Sequence, residues 1–323
     1  MSSKPSLPPR CERTIVDVKE TQMETDEPLV TVVIPCFNGE LYVREAIQSV
    51  VDQTSSSWVL IIIDDGSTDS SPKILREAVT RLGERARVVR TENQGACAAR
   101  NAGLKLATTK YVAFLDSDDL WMEEKLITQI EMLENDSRLV GVTSDYFLTN
   151  PFGVRRARRK SFTWSTNAMI DWTLLGQSAP AMNSTLVGDR LTLLSLGGYN
   201  EGLVSYGEDL ELGWRLRAKG AVSYAPRALA LVRIWSGQIH NDTPQMISSL
   251  SLVYDGLRER EPDLAEKARV NASVYAAFRA LKVEPSFQAL LGLTKCFLIA
   301  PKISFLYIAR RAGCACYGRW RRT

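Results

Sequence analysis

The stretch VTVVIPCFNGELYVREAIQSV, residues 30–50, joins a strand pattern to a helix pattern. Its first eight residues are mostly apolar, as in strands that are covered on both faces of a sheet. Apolar residues then recur at Val43, Ile47 and Val50, the spacing of one face of a helix. The stretch therefore predicts one βα unit.

The same unit repeats along the chain. Further apolar runs, which predict buried strands, occupy residues 58–63, 86–89, 111–115 and 139–146. Helical spacing returns after two of them, in the series Ile74, Ala78, Leu82 and the series Leu126, Ile130, Leu133, and a further helical segment covers 208–220. This alternation predicts an α/β fold with a mostly parallel, doubly wound sheet flanked by helices. Ligands of such sheets bind at the carboxyl ends of the strands.

Composition limits the chemistry that the chain can carry. Its 323 residues hold 40 basic and 37 acidic side chains, a net charge of +3 that is too even for attraction of nucleic acid by the whole chain. His240 is the only histidine, so neither a histidine-based triad nor a multi-histidine metal site can form. Carboxylates must therefore carry any acid–base or metal chemistry. The six cysteines show no metal-binding spacing and indicate a reduced, cytosolic chain.

Both ends of the chain differ from its middle. Residues 1–28 are polar, lack the apolar core of a signal peptide and predict a flexible lead-in. Residues 241–323 predict a helical, basic appendage, whose part 285–323 has seven basic residues and no acidic one. Its uncharged runs are shorter than the ~18 residues of a spanning helix. Its amphipathic pattern fits either peripheral docking to an anionic membrane or packing on the domain. The basic run 155–160 predicts a solvated loop.

Carboxylates follow two of the predicted strands. Asp64 and Asp65 close the second strand; we assign Asp69 to capping the next helix and keep Asp65 for function. The sequence DSDD, residues 116–119, follows the fourth strand. Three carboxylates in four residues repel one another unless a cation is bound, and Mg²⁺ prefers a carboxylate or two together with phosphate oxygens. A helix cap within a solvated acidic turn is the alternative interpretation.

A third acidic pair, Glu208 and Asp209, opens the helical segment 208–220. The helix dipole stabilises carboxylates there, so the pair fits capping as well as a catalytic base. Two phosphate-binding motifs are missing, since neither GxxxxGK[ST] nor a GxGxxG after the first strand occurs. P-loop NTPases and Rossmann oxidoreductases are thereby disfavoured.

Five motifs in one order resemble the inverting, non-processive glycosyltransferases of family 2, which have the GT-A fold. They are VTVVIPCFNGELYVREAIQSVVDQT, IIIDDGSTDSS, ENQGACAARNAGL, YVAFLDSDDLW and GEDLELGWRL. The resemblance covers about residues 30 to 240, so the catalytic domain is expected at 29–240. Its specificity comes from the ordered set.

The resemblance implies a nucleotide-diphosphate sugar as donor, a UDP-sugar by frequency, and a divalent metal, Mg²⁺ or Mn²⁺. It implies that the base contacts Pro35, Phe37 and Asp65, and that Asn93 and Arg100 meet the nucleotide or its phosphates. Helix capping by Asn93 and a surface position for Arg100 are the structural alternatives. Asp116 and Asp118 form the DxD element, in which Asp116 lies near the ribose and the metal and Asp118 is the preferred direct metal ligand. Asp209 matches the acceptor-activating base, with Glu208 as second candidate.

Two departures from the family pattern stand out. Many members carry Arg-x-His late in the domain, whereas here Arg233 is kept and Trp235 takes the place of the histidine. His240 is a possible substitute as a metal or phosphate contact, although a lone histidine is more often structural. The QxxRW motif of processive synthases is absent, which favours transfer of a single sugar.

We therefore expect a metal-dependent, hexosyltransferase-type enzyme that acts on a saccharide or lipid-linked acceptor in polysaccharide or glycoconjugate biosynthesis. It would be cytoplasmic or peripheral on the cytoplasmic face of the membrane. A nucleotidyltransferase and a catalytically silent, membrane-associated scaffold of the same fold are the alternatives.

Overall fold

The computed structural model describes residues 27–159, 182–203 and 207–235 and the single residues 252, 253, 256, 258 and 262. Its strands are β1 Val30–Cys36, β2 Trp58–Asp64, β3 Ala86–Arg90, β4 Tyr111–Phe114, β5 Leu120–Trp121, β6 Leu139–Thr149, β7 Arg155–Arg159, β8 Val187–Asp189 and β9 Ala221–Arg233. Its α-helices are α1 Val43–Val51, α2 Ser71–Leu82, α3 Ala96–Leu106, α4 Lys125–Asn135, α5 Met182–Thr185, α6 Arg190–Ser195 and α7 Glu208–Arg217. A 3₁₀ turn, Gly83–Arg85, follows α2.

These strands form one sheet in the order β3-β2-β1-β4-β8-β6-β9-β5, with β7 paired to β6. The four strands β3, β2, β1 and β4 are parallel. Strand β8 is antiparallel to both β4 and β6, while β6 and β9 are parallel. The predicted α/β fold is confirmed: its first half is the parallel, helix-connected sheet, and its second half is mixed.

Helices cover both faces of this sheet. Val32 of β1 belongs to an apolar cluster that contains residues of α1, α2 and α4. Val33 points the opposite way, into a cluster with residues of α3, α6 and α7. Alternate residues of a strand face opposite sides of the sheet, so the apolar run of β1 is buried on both faces. Helix α3 packs closely on the sheet, and the absence of a side chain at Gly103 makes this possible. A Cβ at Gly103 would be only 2.3 Å from Cγ1 of Val33.

Two local predictions need correction. The basic run that we expected to be a loop contains β7, an edge strand that pairs antiparallel with β6. Charged side chains are common on edge strands because they discourage pairing with other chains. Helix α7 ends at Arg217, before the predicted limit at Gly220. The close packing of the chain against Val140 requires a glycine at position 220, because a Cβ at Gly220 would be 2.5 Å from Cγ1 of Val140.

In the part of the chain that the structure describes, no helix combines the length and apolar character needed to span a bilayer.

Candidate active site

The loops after β1 and β2 are joined by hydrogen bonds at the carboxyl edge of the sheet. The side-chain oxygen of Asn38 accepts from the amide of Thr68 at 2.8 Å. The amide of Glu40 donates to Asp69 at 3.0 Å. Asp69 also accepts from the amide of Ser71, the first residue of α2. The predicted cap is displaced by one residue, because the N-cap position of α2 is Ser70 and Asp69 precedes it. These hydrogen bonds therefore hold the loops after β1 and β2 in a fixed position relative to each other.

Asp65 anchors the loop that leads into α3. Its buried carboxylate accepts hydrogen bonds from the amides of Gln94 at 3.0 Å and Gly95 at 2.8 Å, and from the hydroxyl of Thr91 at 3.1 Å. This loop places Asn93, whose side chain is exposed, directly beside Gly66. The structure thus places Asp65 and Asn93 on neighbouring loops. A role for them in binding a base stays a prediction.

Pro35 and Phe37 differ in accessibility. Pro35 is buried within β1 opposite Ile63 of β2. Phe37, just past the end of β1, is 48% exposed. Of the two, Phe37 is the side chain that a bound molecule can reach.

Arg100 connects two acidic motifs that are 92 residues apart in the chain. Its guanidinium lies 2.6 Å from Oδ1 of Asp116 and 3.5 Å from Oε1 of Glu208. The side chain is 4% exposed, so the surface alternative for Arg100 is wrong. Burial lowers the pKa of Arg100, but Asp116, Tyr199 and Glu208 together outweigh burial and raise this pKa above its usual value.

The acidic pair at the start of α7 has two different environments. Glu208 also accepts a hydrogen bond of 3.0 Å from the side-chain amide of Asn183. The neighbouring carboxylate of Asp209 accepts from the amide of Leu210 at 2.7 Å and is half-buried. Oε1 of Glu208 thus forms an ion pair with Arg100 and accepts from Asn183, whereas Asp209 lies beside it at the positive end of the helix dipole.

The DSDD motif has one buried carboxylate and two partly accessible ones. Asp119 is buried, accepts from the hydroxyl of Ser184 at 2.6 Å and accepts from the amide of Arg233 at 2.9 Å. Burial, and then the nearby carboxylates of Asp118 and Asp116, raise the pKa of Asp119 well above its ordinary value. Asp119 thus anchors the turn, while Asp116 and Asp118 remain at the edge of the sheet.

Arg233 and Trp235 pack against this turn from the end of β9. The side chain of Arg233 donates to the carbonyl oxygen of Asp118 at 2.8 Å and pairs with Glu45 at 2.8 Å. Trp235 Nε1 donates to Oδ2 of Asp118 at 2.8 Å. Its ring meets that of Tyr42 edge-on, with centroids 5.3 Å apart. The residue in the place of the expected histidine therefore contacts Asp118 directly.

Asp116 and Asp118 suit a hard divalent cation. Within the described residues no group of three His, Cys, Asp or Glu side chains is placed to hold a metal. Mg²⁺ needs only one or two protein carboxylates when a substrate diphosphate supplies other oxygens. Arg100 occupies Oδ1 of Asp116, and none of the residues in the described ranges donates a hydrogen bond to its Oδ2. The donor set thus fits a cation that is shared with a diphosphate.

Several contributors were missed by the sequence interpretation. Ser184 accepts from the amide of Asp116 at 3.2 Å as well as donating to Asp119. Asn183, Thr185 and Tyr199 each have a buried polar atom with no hydrogen-bond partner among the described residues, as does Arg100. In the sequence, only the short polar run 183–185 before Leu186 could have indicated these contributors. His240 and the segment 285–323 lie outside the described residues.

Comparison with known proteins gives one family. The model of Glycosyl transferase family 2 matches residues 31–184. A Rickettsia felis protein named uncharacterized glycosyltransferase is 34% identical over 208 residues, which are 64% of this chain and 33% of that protein. The putative teichuronic acid biosynthesis glycosyltransferase TuaG of Bacillus subtilis is 44% identical over 108 residues, 33% of this chain and 42% of TuaG. The matches thus span only a third to two fifths of these relatives.

Solved structures show the same fold. Staphylococcus aureus TarS 1–349 in complex with UDP-GlcNAc has a TM-score of 0.62 at 16% identity, covering 83% of this chain and 79% of TarS 1–349. A mannosyltransferase from Pyrobaculum calidifontis, in complex with GDP-Man and Mn²⁺, has a TM-score of 0.57 at 18% identity, covering 92% and 88% of the two chains. The predicted GT-A fold is confirmed. Residues 31–184 of this chain are a domain of glycosyltransferase family 2.

Proposed function

We propose that the chain is an inverting, metal-dependent glycosyltransferase that moves one sugar from a nucleotide-diphosphate sugar to a hydroxyl group of a saccharide or lipid-linked acceptor. The proposed setting is polysaccharide or glycoconjugate biosynthesis. The observation that carries the proposal is the buried guanidinium of Arg100 between Asp116 and Glu208. It joins the acidic end of β4 to the start of α7, so one site holds both a cation-binding edge and a candidate base.

The names of similar proteins support this substrate class. A relative from Escherichia coli, 38% identical over 110 residues, is named UDP-Glc:alpha-D-GlcNAc-diphosphoundecaprenol beta-1,3-glucosyltransferase WfgD. The aligned part is 33% of this chain and 42% of WfgD. Together with the UDP-GlcNAc complex of TarS, it favours a UDP-sugar donor and a lipid-linked acceptor for the present chain.

The proposed donor site lies along the carboxyl ends of β1, β2 and β4. Phe37 and Asn93 present accessible groups to the base and ribose, and Asp65 keeps the loop before α3 in place. Asp116 and Asp118 would hold Mg²⁺ or Mn²⁺, which supplies charge neutralisation for the diphosphate leaving group. Arg100 fixes the orientation of Asp116 through the hydrogen bond to Oδ1.

The proposed transfer is a single displacement at the anomeric carbon. The acceptor oxygen forms its bond to that carbon while the bond to the diphosphate breaks, so the configuration inverts. Asp209 takes the proton of the acceptor hydroxyl. Glu208 is less suited to this role because its Oε1 already pairs with Arg100 and accepts from Asn183. Its task is to fix the start of α7 against Arg100.

The remaining assignments follow from this activity. We propose that residues 29–240 form the catalytic domain, preceded by a flexible segment 1–28 and followed by a helical, basic region 241–323. A lipid-linked acceptor would place the enzyme at the cytoplasmic face of the membrane. Segment 285–323 is the proposed peripheral anchor, and His240 is a further candidate for contact with the metal.

A thermal-shift panel tests the proposal, since a ligand that binds only the folded chain raises its melting temperature. Nucleoside diphosphates, triphosphates and nucleotide sugars are each measured with Mn²⁺ and with chelator. We expect stabilisation by one diphosphate and its sugar conjugates only when metal is present. Stabilisation by triphosphates alone would indicate nucleotidyl transfer. No response to any ligand would indicate a catalytically silent scaffold.

A further inference from the structure

The turn between β6 and β7 is ordered but presents apolar side chains to solvent. The side-chain oxygen of Asn150 accepts from the amides of Phe152 at 3.1 Å and Val154 at 2.9 Å. Gly153 closes the turn at a φ of 74°, and its amide donates to the carbonyl of Asn150. Phe152 is nevertheless 88% exposed and Val154 60% exposed. A hydrogen-bonded turn thus holds two apolar side chains in water.

This turn is attached to the edge of the candidate active site. Arg233 donates to the carbonyl oxygen of Pro151 at 2.7 Å and lies over the ring of Tyr42 at 4.2 Å. Two more exposed apolar residues adjoin these contacts, Ile234 next to Arg233 and Leu41 next to Tyr42. We call Leu41, Phe152, Val154 and Ile234 the apolar rim. Four of the eight exposed large apolar residues in the described ranges thus lie in this turn or next in the chain to residues that contact it.

Positive charge adjoins the apolar rim. Residues 146–170 contain five basic residues and no acidic one. Arg155 is exposed, with its guanidinium 4.8 Å from the ring centroid of Phe147. Arg158 pairs with the buried Asp145 at 2.8 Å yet keeps 46% of its side chain exposed. Arg155 and the exposed part of Arg158 therefore place positive charge on β7.

We infer that the apolar rim and β7 together form a docking surface for an anionic lipid bilayer. Apolar side chains at the tip of a turn insert between lipid headgroups without needing a matching pocket, whereas a protein partner would have to supply one. Arginines beside them meet the anionic headgroups. Because Arg233 contacts both Pro151 and Asp118, docking at this surface would hold the acidic edge of β4 near the bilayer. The inference goes beyond sugar transfer and can fail while that activity stands.

Vesicle sedimentation with the full chain tests the inference without any donor or acceptor. The vesicles consist of phosphatidylcholine alone or of equal parts phosphatidylcholine and phosphatidylglycerol. We expect binding to the anionic vesicles that weakens with added salt. The double variant Phe152→Ser, Val154→Ser should bind about tenfold more weakly, because it loses apolar burial. Its control is Leu191→Ser on α6, a residue that is 66% exposed and outside the apolar rim.

A charge variant gives a second, independent measurement. Arg155→Gln should weaken binding to anionic vesicles about fivefold, the effect expected for one basic residue near the surface. Arg44→Gln on α1, where the arginine side chain is 64% exposed, is the matched control and should bind as the original chain does. If both hairpin variants bind like the original chain, membrane contact is made elsewhere, as by segment 285–323, and the inference is wrong. Equal binding to both kinds of vesicle would also overturn it.

Discussion

Trp235 Nε1 lies 2.8 Å from Oδ2 of Asp118 and donates a hydrogen bond to it across 117 positions of the chain. The contact fixes one carboxylate oxygen of the DxD element. Tyr42 supports the indole ring from the side at 5.3 Å. A residue that departs from the family pattern therefore takes part in orienting a candidate metal ligand.

Replacing Trp235 by Phe tests this orientation. The ring contact with Tyr42 is kept while the N–H group is lost, so the fold should be unaffected. We expect metal-dependent binding of the nucleoside diphosphate to weaken about tenfold, since a hydrogen bond to a charged group contributes roughly 1.5–3 kcal/mol. Titration calorimetry with Mn²⁺ and with chelator measures the change. An unaltered affinity would show that other contacts orient Asp118.

Arg100 should contribute more to stability than an exposed arginine does. Arg100→Met leaves the carboxylates of Asp116 and Glu208 without their buried cation, so we expect a loss of about 3–5 kcal/mol in the free energy of unfolding. The control is Arg44→Met, which removes an exposed pair with Glu77 and should cost at most about 1 kcal/mol. Urea unfolding measures both. Equal losses would contradict the central role of Arg100.

The parallel half of the fold was predictable because its signals are local. A buried strand such as β1 shows as an apolar run, and α1 shows as helical spacing of Val43, Ile47 and Val50. The antiparallel insertion of β8 between β4 and β6 has no such signal, since its three residues follow a long stretch without clear periodicity. Strand β7 was missed because its arginines resemble a solvated loop.

The candidate site was predictable only in part, for a similar reason. Carboxylates that follow apolar runs pointed to Asp65, Asp116 and Asp118, because the carboxyl ends of parallel strands lie at the same end of a sheet. Glu208 showed only as part of an acidic pair at the start of a helix. The ion pairs of Arg100 and the hydrogen bonds of Ser184 depend on which elements become neighbours. Such contacts join residues 16 to 108 positions apart, and no spacing in the sequence encodes them.

A buried lysine predicts how stability depends on pH. Lys125 is fully buried, with Nζ bonded to Gln129 at 2.6 Å, and burial lowers its pKa well below the ordinary value of 10.5. Between the pKa of Lys125 in the folded chain and 10.5, Lys125 therefore binds a proton in the unfolded chain but not in the folded chain. Stability attributable to this group is present at high pH and is lost as the pH falls towards the folded-state pKa.

The variant Lys125→Met isolates that effect. The unfolding free energy of the original chain minus that of the variant should increase between pH 7 and pH 9.5, by up to about 1.4 kcal/mol per pH unit. Lys110→Met is the control, because hydrogen bonds to Glu134 and Tyr111 raise the pKa of Lys110. Its difference from the original chain should be constant over that range. A flat difference for Lys125→Met would mean that Lys125 is charged in the folded chain.

The two acidic motifs should separate donor binding from catalysis. Asp118→Asn removes the negative charge of the carboxylate that we propose binds the metal. Metal-dependent stabilisation by the nucleoside diphosphate should therefore vanish. Asp209→Asn removes the proposed base but no donor contact, so donor affinity should stay within about twofold while turnover falls about 10²–10⁴-fold. Glu208→Gln serves as the comparison, and by its contact with Arg100 it should lower stability as well as turnover. Wild-type turnover of Asp209→Asn would show that the base is another group, with Glu208 the next residue to test.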